Sequence, residues 1–207
     1  MKPKETYISD KYKYEDYLEL DFNINSPTKV WNKAIDIFKS RIESRYFYAI
    51  KKLMNKHNKK EMIKCGFAIM TLECSLIDTL ARFRYAPNKQ RRRFVNFLKD
   101  FLLDGSNAET DAVTIYKNIR CGLVHSGATD HMCGLTYGLK NLITIKDDGG
   151  ISLDIIEMNE RLKNYLKDYL EILKNTNEIE VRENFVNIMN IICKPQNYTI
   201  KNKSINN

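Results

Sequence analysis

At 207 residues the chain can bury one good hydrophobic core, or one core with a small appendage. Hydrophobic residues at 43% and charged residues at 29% exclude a disordered chain, and only 8 Gly and 4 Pro argue for long helices over a many-turned β fold. A net charge of +8 favours a polyanionic partner, most simply nucleic acid; the plainer reading is a lysine-rich composition that keeps the protein soluble.

The opening stretch MKPKETYISDKYKYEDY is too polar for a signal peptide. Tyr7, Tyr12, Tyr14 and Tyr17 sit among charges without a sustained period, so residues 1–25 are expected to form an arm that packs on the body. Ser26 and Pro27 then predict a helix start, with a serine N-cap and a proline in the first turn. Trp31, Ile35, Phe38, Ile42, Ala49 and Leu53 follow mostly at steps of three and four, which carries this helix to about His57.

A second helix is expected after Asn58, with one apolar stripe of Ile63, Phe67, Met70, Cys74, Ile77 and Ala81. Another stripe holds Leu72, Leu76, Leu80 and Phe83, and a helix apolar on two faces belongs in the centre of a bundle. Glu73 and Asp78 lie on it, and a carboxylate near a core needs a partner. The run from Gly66 to Ile77 is the most apolar, but Glu73 breaks it and it is too short to span a bilayer.

Pro87-Asn88 separates a third helix, with Phe94, Phe97 and Phe101 as its buried stripe and Gly105-Ser106 as its end. A fourth runs from about Asn107 towards Gly127 with Ile115, Ile119 and Leu123 facing in. Leu142–Ile145, a Lys-Asp-Asp-Gly-Gly turn and Ile151–Ile155 predict a β-hairpin. Two further helices span Met158 to about Lys174 and Glu178 to about Cys193, and the polar tail from Lys194 is expected to fray. The fold class is therefore mainly α: an up-and-down helical bundle with a small β-hairpin insertion near 142–155. Residues 1–25 form the arm, 26–193 the helical domain and 194–207 the tail. The cysteines at 65, 74, 121, 133 and 193 are odd in number and lack close pairing, as expected of reduced thiols in the cytoplasm.

The stretch from Tyr116 to Gly127 carries the clearest chemistry, because it puts Arg120 and His125 five positions apart at a helix end. Histidine gives and takes protons near neutral pH, and arginine presents a fixed cationic fork that suits a phosphate gaining charge. RNA brings its own nucleophile, the 2′-hydroxyl, so one acid/base group and one cationic clamp suffice to cut it without a metal. Five steps on an ideal helix leave the two side chains about 140° apart. One copy would not bring both groups together unless Gly122 or the helix end distorts the backbone, whereas two copies across a two-fold axis can supply both groups to one cleft. The plainer reading has Arg120 capping helix-end carbonyls and His125 settling the last turn, where cations are favoured.

Arg120 and His125, four residues between them in a helical bundle, resemble the R-x4-6-H motif of HEPN domains (higher eukaryotes and prokaryotes nucleotide-binding). The resemblance covers roughly residues 27–175 and leaves the arm, hairpin and tail unaccounted for. It implies a dimerising helical bundle, a metal-independent endoribonuclease without cofactor, and Arg120 and His125 as the catalytic pair. Cys121, Ser126 and Glu73 are supporting candidates; Cys121 stands where many active members carry a polar residue such as Asn. Active members of the family serve in toxin–antitoxin, antiviral and RNA-processing systems, so RNA, a second copy and an antitoxin or regulatory protein are the implied partners. The alternative is a non-catalytic HEPN module that binds RNA, nucleotide or a protein partner such as a nucleotidyltransferase.

Lys89, Arg91, Arg92 and Arg93 form the densest basic run, read either as an RNA-phosphate contact with Tyr85 nearby for stacking or as a solvated helix face. Cys121, His125, His131 and Cys133 lack the close ligand pairs of zinc sites, so no metal is expected. Glu73 and Asp78 either orient Arg120 or the histidine, or pair with a structural arginine such as Arg45.

Overall fold

Apolar spacing sets the helices, and one-residue phase shifts decide which side chains they bury. In the computed structural model, which describes residues 7–55, 59–85, 89–147 and 149–193, the molecule is mainly helical with a small three-stranded sheet. Three predicted boundaries, at His57–Asn58, at Pro87–Asn88 and in the tail 194–207, lie outside the described residues.

The arm contains a short helix α1 (Tyr14–Leu18) and contributes to the core. Ile8, Tyr17 and Phe22 are buried, and the Tyr17 hydroxyl donates to Asn190 Oδ1 at 3.0 Å. Helix α2 (Thr28–Ile42) begins with Pro27, not Ser26, at the N-cap; the Ser26 hydroxyl is already used, accepting from Asn23 N at 3.0 Å one turn earlier. A wide i→i+5 turn at Glu43–Phe47 leads from α2 into α3 (Tyr48–Met54).

The second predicted helix is two helices, α4 (Lys59–Lys64) and α5 (Gly66–Arg84), with the break at Cys65. Tyr137 is wedged at this break. Its hydroxyl donates to the Ile63 carbonyl at 3.2 Å, and a Cβ on Gly66 would collide with it. The break turns Ile63 and Phe67 out to solvent, against the expected stripe, whereas Met70, Cys74, Ile77 and Ala81 are buried as the period predicts. Helix α5 packs against α3, α6, α8, α9 and α10 and is the central element.

Helix α6 (Gln90–Phe97) ends in a second wide turn at Leu98–Leu102. That turn rotates Phe101 outward, to 36% exposure, while Phe94 and Phe97 stay in the core. Helix α7 (Ala108–Thr114), a third wide turn (Ile115–Arg120) and α8 (Cys121–Ser126) make up the predicted fourth helix. Ile115, Ile119 and Leu123 are buried as expected.

The hairpin forms between β2 (Ile143–Ile145) and β3 (Ile151–Asp154), with Thr144 opposite Ser152. A third strand, β1 (Gly134–Thr136), pairs in parallel on the other edge of β3 and was not foreseen, being only three residues long. Asp154 joins sheet to helix. One carboxylate oxygen accepts from Ile156 N and Glu157 N, both at 3.0 Å, and so caps α9 (Ile155–Lys174). The other accepts from Leu139 N at 2.8 Å and from the Thr136 hydroxyl at 3.2 Å. This cap starts α9 three residues before the expected Met158.

Helix α10 (Ile179–Cys193) closes the bundle. Its Asn184 amide donates to the carbonyls of Phe83 (2.7 Å), Tyr85 (3.0 Å) and Arg82 (3.1 Å), which the end of α5 leaves without intrahelical partners. Phe38, Phe83 and Phe185 meet in the centre, with ring centroids 4.6 to 5.8 Å apart. Among the described residues no helix is long and apolar enough to cross a membrane.

Candidate functional site

The wide turn Ile115–Arg120 ends at the first residue of the Arg–His motif. Such π-type turns are rare and cluster at functional sites, because one extra residue re-aims everything that follows. Here the backbone does two things. It keeps Ile115, Ile119 and Leu123, each four apart, on the core side. It also lets the chain after α8 fold back, with Asp130 N donating to the Asn118 carbonyl at 2.7 Å. The returning strand passes so close that a Cβ on Gly122 would collide with the Ala128 carbonyl oxygen. Gly127 makes the reversal in the left-handed region, at φ 65°.

Arg120 points inward, to α5. Its Nη2 and Nε donate to Asp78 Oδ2 at 2.9 and 3.3 Å, and the two side chains are only 14% and 20% exposed. Gln90 at the start of α6 donates to the same oxygen at 3.0 Å. The Tyr116 ring lies under the guanidinium at 5.7 Å, and the half-buried Cys121 thiol is beside both. Burial works against the charge on Arg120, but the hydrogen bond and attraction of Asp78 outweigh it, so the guanidinium is held above its already high pKa. This arginine is a permanent, positioned cation.

His125 points elsewhere. It is exposed on the last turn of α8, at the crest of the reversal, and among the described residues it makes no hydrogen bond or ion pair. Ser126 is exposed beside it. Within one chain the two side chains thus have different surroundings, Arg120 against Asp78 and His125 at the exposed crest.

No family model, curated protein or solved structure matches the chain.

The supporting carboxylate is Asp78, and Arg45 is not its partner; Arg45 donates to the Tyr7 carbonyl at 3.3 Å. Glu73, the acid singled out beside the motif, does not reach Arg120. It is wholly buried against α9, where Asn159 is its polar neighbour. Burial, with a smaller push from Asp154, raises its pKa well above the usual carboxylate range, against the opposing pull of Asn159 and Lys163. Cys74, between the two acids, is buried, and its thiol is pushed up by that burial and then by Glu73.

The basic run divides across α6. Lys89, Arg91 and Arg92 line an open groove with Asn96 and Lys99, while Arg93 lies on the other side with Gln90 and Asp78. Tyr85 is tied down, its hydroxyl donating to Asp100 at 2.7 Å and its ring 6.4 Å from Phe101. Of Cys121, His125, His131 and Cys133, Cys133 is buried and His131 is exposed in the left-handed region, and among the described residues no three potential ligands come together. Sequence reasoning missed Tyr116 and Gln90. Tyr116 was legible as the residue four before Arg120 on one helix face; Gln90 meets Asp78 only through the packing of α6 on α5.

Proposed function

We propose that the chain is a HEPN-type endoribonuclease that cleaves RNA without a metal, Arg120 clamping the scissile phosphate and His125 moving the proton. The observation that carries this reading is the contrast within the motif: an arginine locked in place by Asp78, and a histidine on an exposed crest that has no polar partner among the described residues. In the reaction the 2′-hydroxyl attacks the adjacent phosphate, its proton passing to the histidine. The P–O5′ bond breaks, the 5′-oxygen takes a proton from the protonated histidine, and a 2′,3′-cyclic phosphate remains. Because the two side chains have different surroundings in one chain, the active form is a two-fold dimer in which each copy brings its crest to a shared cleft. As an RNA-cleaving toxin or antiviral effector it would work in the cytoplasm, restrained by an antitoxin or regulatory protein.

One observation favours a second reading. Asp78 takes two of the guanidinium donors, as a purely structural arginine would have it, and a non-catalytic module that binds RNA, nucleotide or a protein partner is consistent with that. Incubation of the purified protein with total RNA in EDTA separates the two. Cleavage to cyclic-phosphate ends in chelator is expected; intact RNA, or cleavage that needs added magnesium, would remove the ribonuclease reading.

A further inference from the structure

Asp78 also lines a cleft of about 590 Å³ that the bundle opens between α2, α5, α6 and α10. Three arginines from three helices converge on it: Arg41, Arg82 and Arg93. Among the described residues the one acid in its lining is Asp78, already engaged by Arg120 and Gln90. Arg82 is exposed and, among the described residues, its guanidinium has no hydrogen bond or ion pair. Arg41 is half-buried; among the described residues the Ile8 carbonyl, at 3.5 Å, and Tyr14 are its hydrogen-bond partners, and burial, with a smaller push from Arg45 outside the cleft, lowers its pKa against the pull of Tyr14 and Cys193. Cations gathered along a low-dielectric wall focus their field into the cleft.

We infer that this cleft seats the phosphodiester backbone of a single RNA strand next to the Arg120 corner. The inference rests on the ribonuclease reading for its substrate but not for its location. Arginine forks match phosphate oxygens two at a time, which explains guanidiniums where lysines would only add charge. The opposite wall is apolar, with Ile188 and Ile192 behind an Ile191 that is 54% exposed, and an apolar wall beside cations accepts the face of an unstacked base. A cleft of this volume is in the range of small-ligand sites, so a short single-stranded stretch fits and a duplex does not. Asp78 links the two places, since it lines the cleft and holds Arg120. A strand lying on Arg82 and Arg93 is thereby led to the clamp that grips the phosphate to be cut.

The test is equilibrium binding of a fluorescein-labelled oligoribonucleotide, read by anisotropy in the His125→Ala background so that the strand stays whole. Arg82→Glu should weaken binding at least about tenfold, and Arg82→Ala should lower the slope of log K against log salt by about one. The double change Arg91→Ala with Arg92→Ala, on the opposite side of α6, should cost less than Arg82→Glu alone. Circular dichroism and melting verify that each variant is folded, which an exposed position favours. Unchanged affinity and salt slope in both Arg82 variants would overturn the cleft, as would competition by polyglutamate of matched charge as effective as unlabelled RNA. Because the readout is binding, the two readings fail separately. Arg82-dependent binding without cleavage by the unmodified protein keeps the cleft and removes the ribonuclease. Cleavage in chelator with Arg82-independent binding does the reverse.

Discussion

Glu73 and Asp78 stand on one helix, five residues and so about 140° apart, and they have opposite fates. Glu73 faces α9 in a dry corner with an amide for company, and burial raises its pKa. Asp78 faces α6 and the Arg–His segment at a corner open to water, where it accepts from Arg120 and Gln90. The same chemical group is a structural filler in one place and a positioning device in the other. What separates them is the neighbour that tertiary packing supplies: burial outweighs the pull of Lys163 at Glu73 and raises its pKa, whereas Asp78 lies against the Arg120 guanidinium and holds it.

The sharpest way to break this contrast is to remove the functional side of it. Arg120→Ala and His125→Ala are each expected to lower ribonuclease activity by on the order of 10² to 10⁴, the usual contribution of a general acid–base group or charge clamp, with melting changed far less for His125. Initial rates on a defined oligoribonucleotide, with melting curves on the same samples, would decide; an active His125→Ala protein ends the assignment. Asp78→Asn should act in two currencies. Losing a mostly but not fully buried ion pair costs roughly 1–2 kcal/mol of stability, below the 3–5 of a fully buried one. Activity should also fall, through a looser Arg120, and be partly rescued by Asp78→Glu; an Asp78→Asn protein with full activity would make that carboxylate a bystander.

The smallest effect belongs to Glu73 and is one of pH. Its folded-state pKa is raised above the ordinary value near 4.5, so the folded protein holds a proton that the unfolded chain releases. That contribution is fully present below the unfolded value and is lost as pH rises towards the folded pKa. Glu73→Gln keeps the neutral shape beside Asn159 and has no proton to lose. The variant should therefore gain stability relative to the parent as pH rises above the ordinary carboxylate value near 4.5. Parallel pH profiles of the melting temperature would show that Glu73 is not held neutral.

Periodicity was enough to find most of the helices, the hairpin and the central position of the helix that carries both acids. Arg120 and His125 drew notice by their chemistry and spacing, not by periodicity, and the period does not say which neighbours either would meet. The exposed Ile63, Phe67 and Phe101 show where it stops: a break at Cys65 and a wide turn at Leu98–Leu102 each shift the phase, and a sequence period carries no record of such a shift. The strand β1 escaped notice because three residues hold too little alternation to register.

What the sequence determined by itself is the class of each segment and the kind of charge it carries, since both follow from side chains at fixed local spacing. Only the tertiary structure decided which carboxylate meets Arg120, that Arg93 parts company with Arg91 and Arg92, and that Arg41 and Arg82 share a cleft. Those contacts join residues tens of positions apart. They depend on how α5 rolls against α6, α9 and α10, which is settled by the whole core at once.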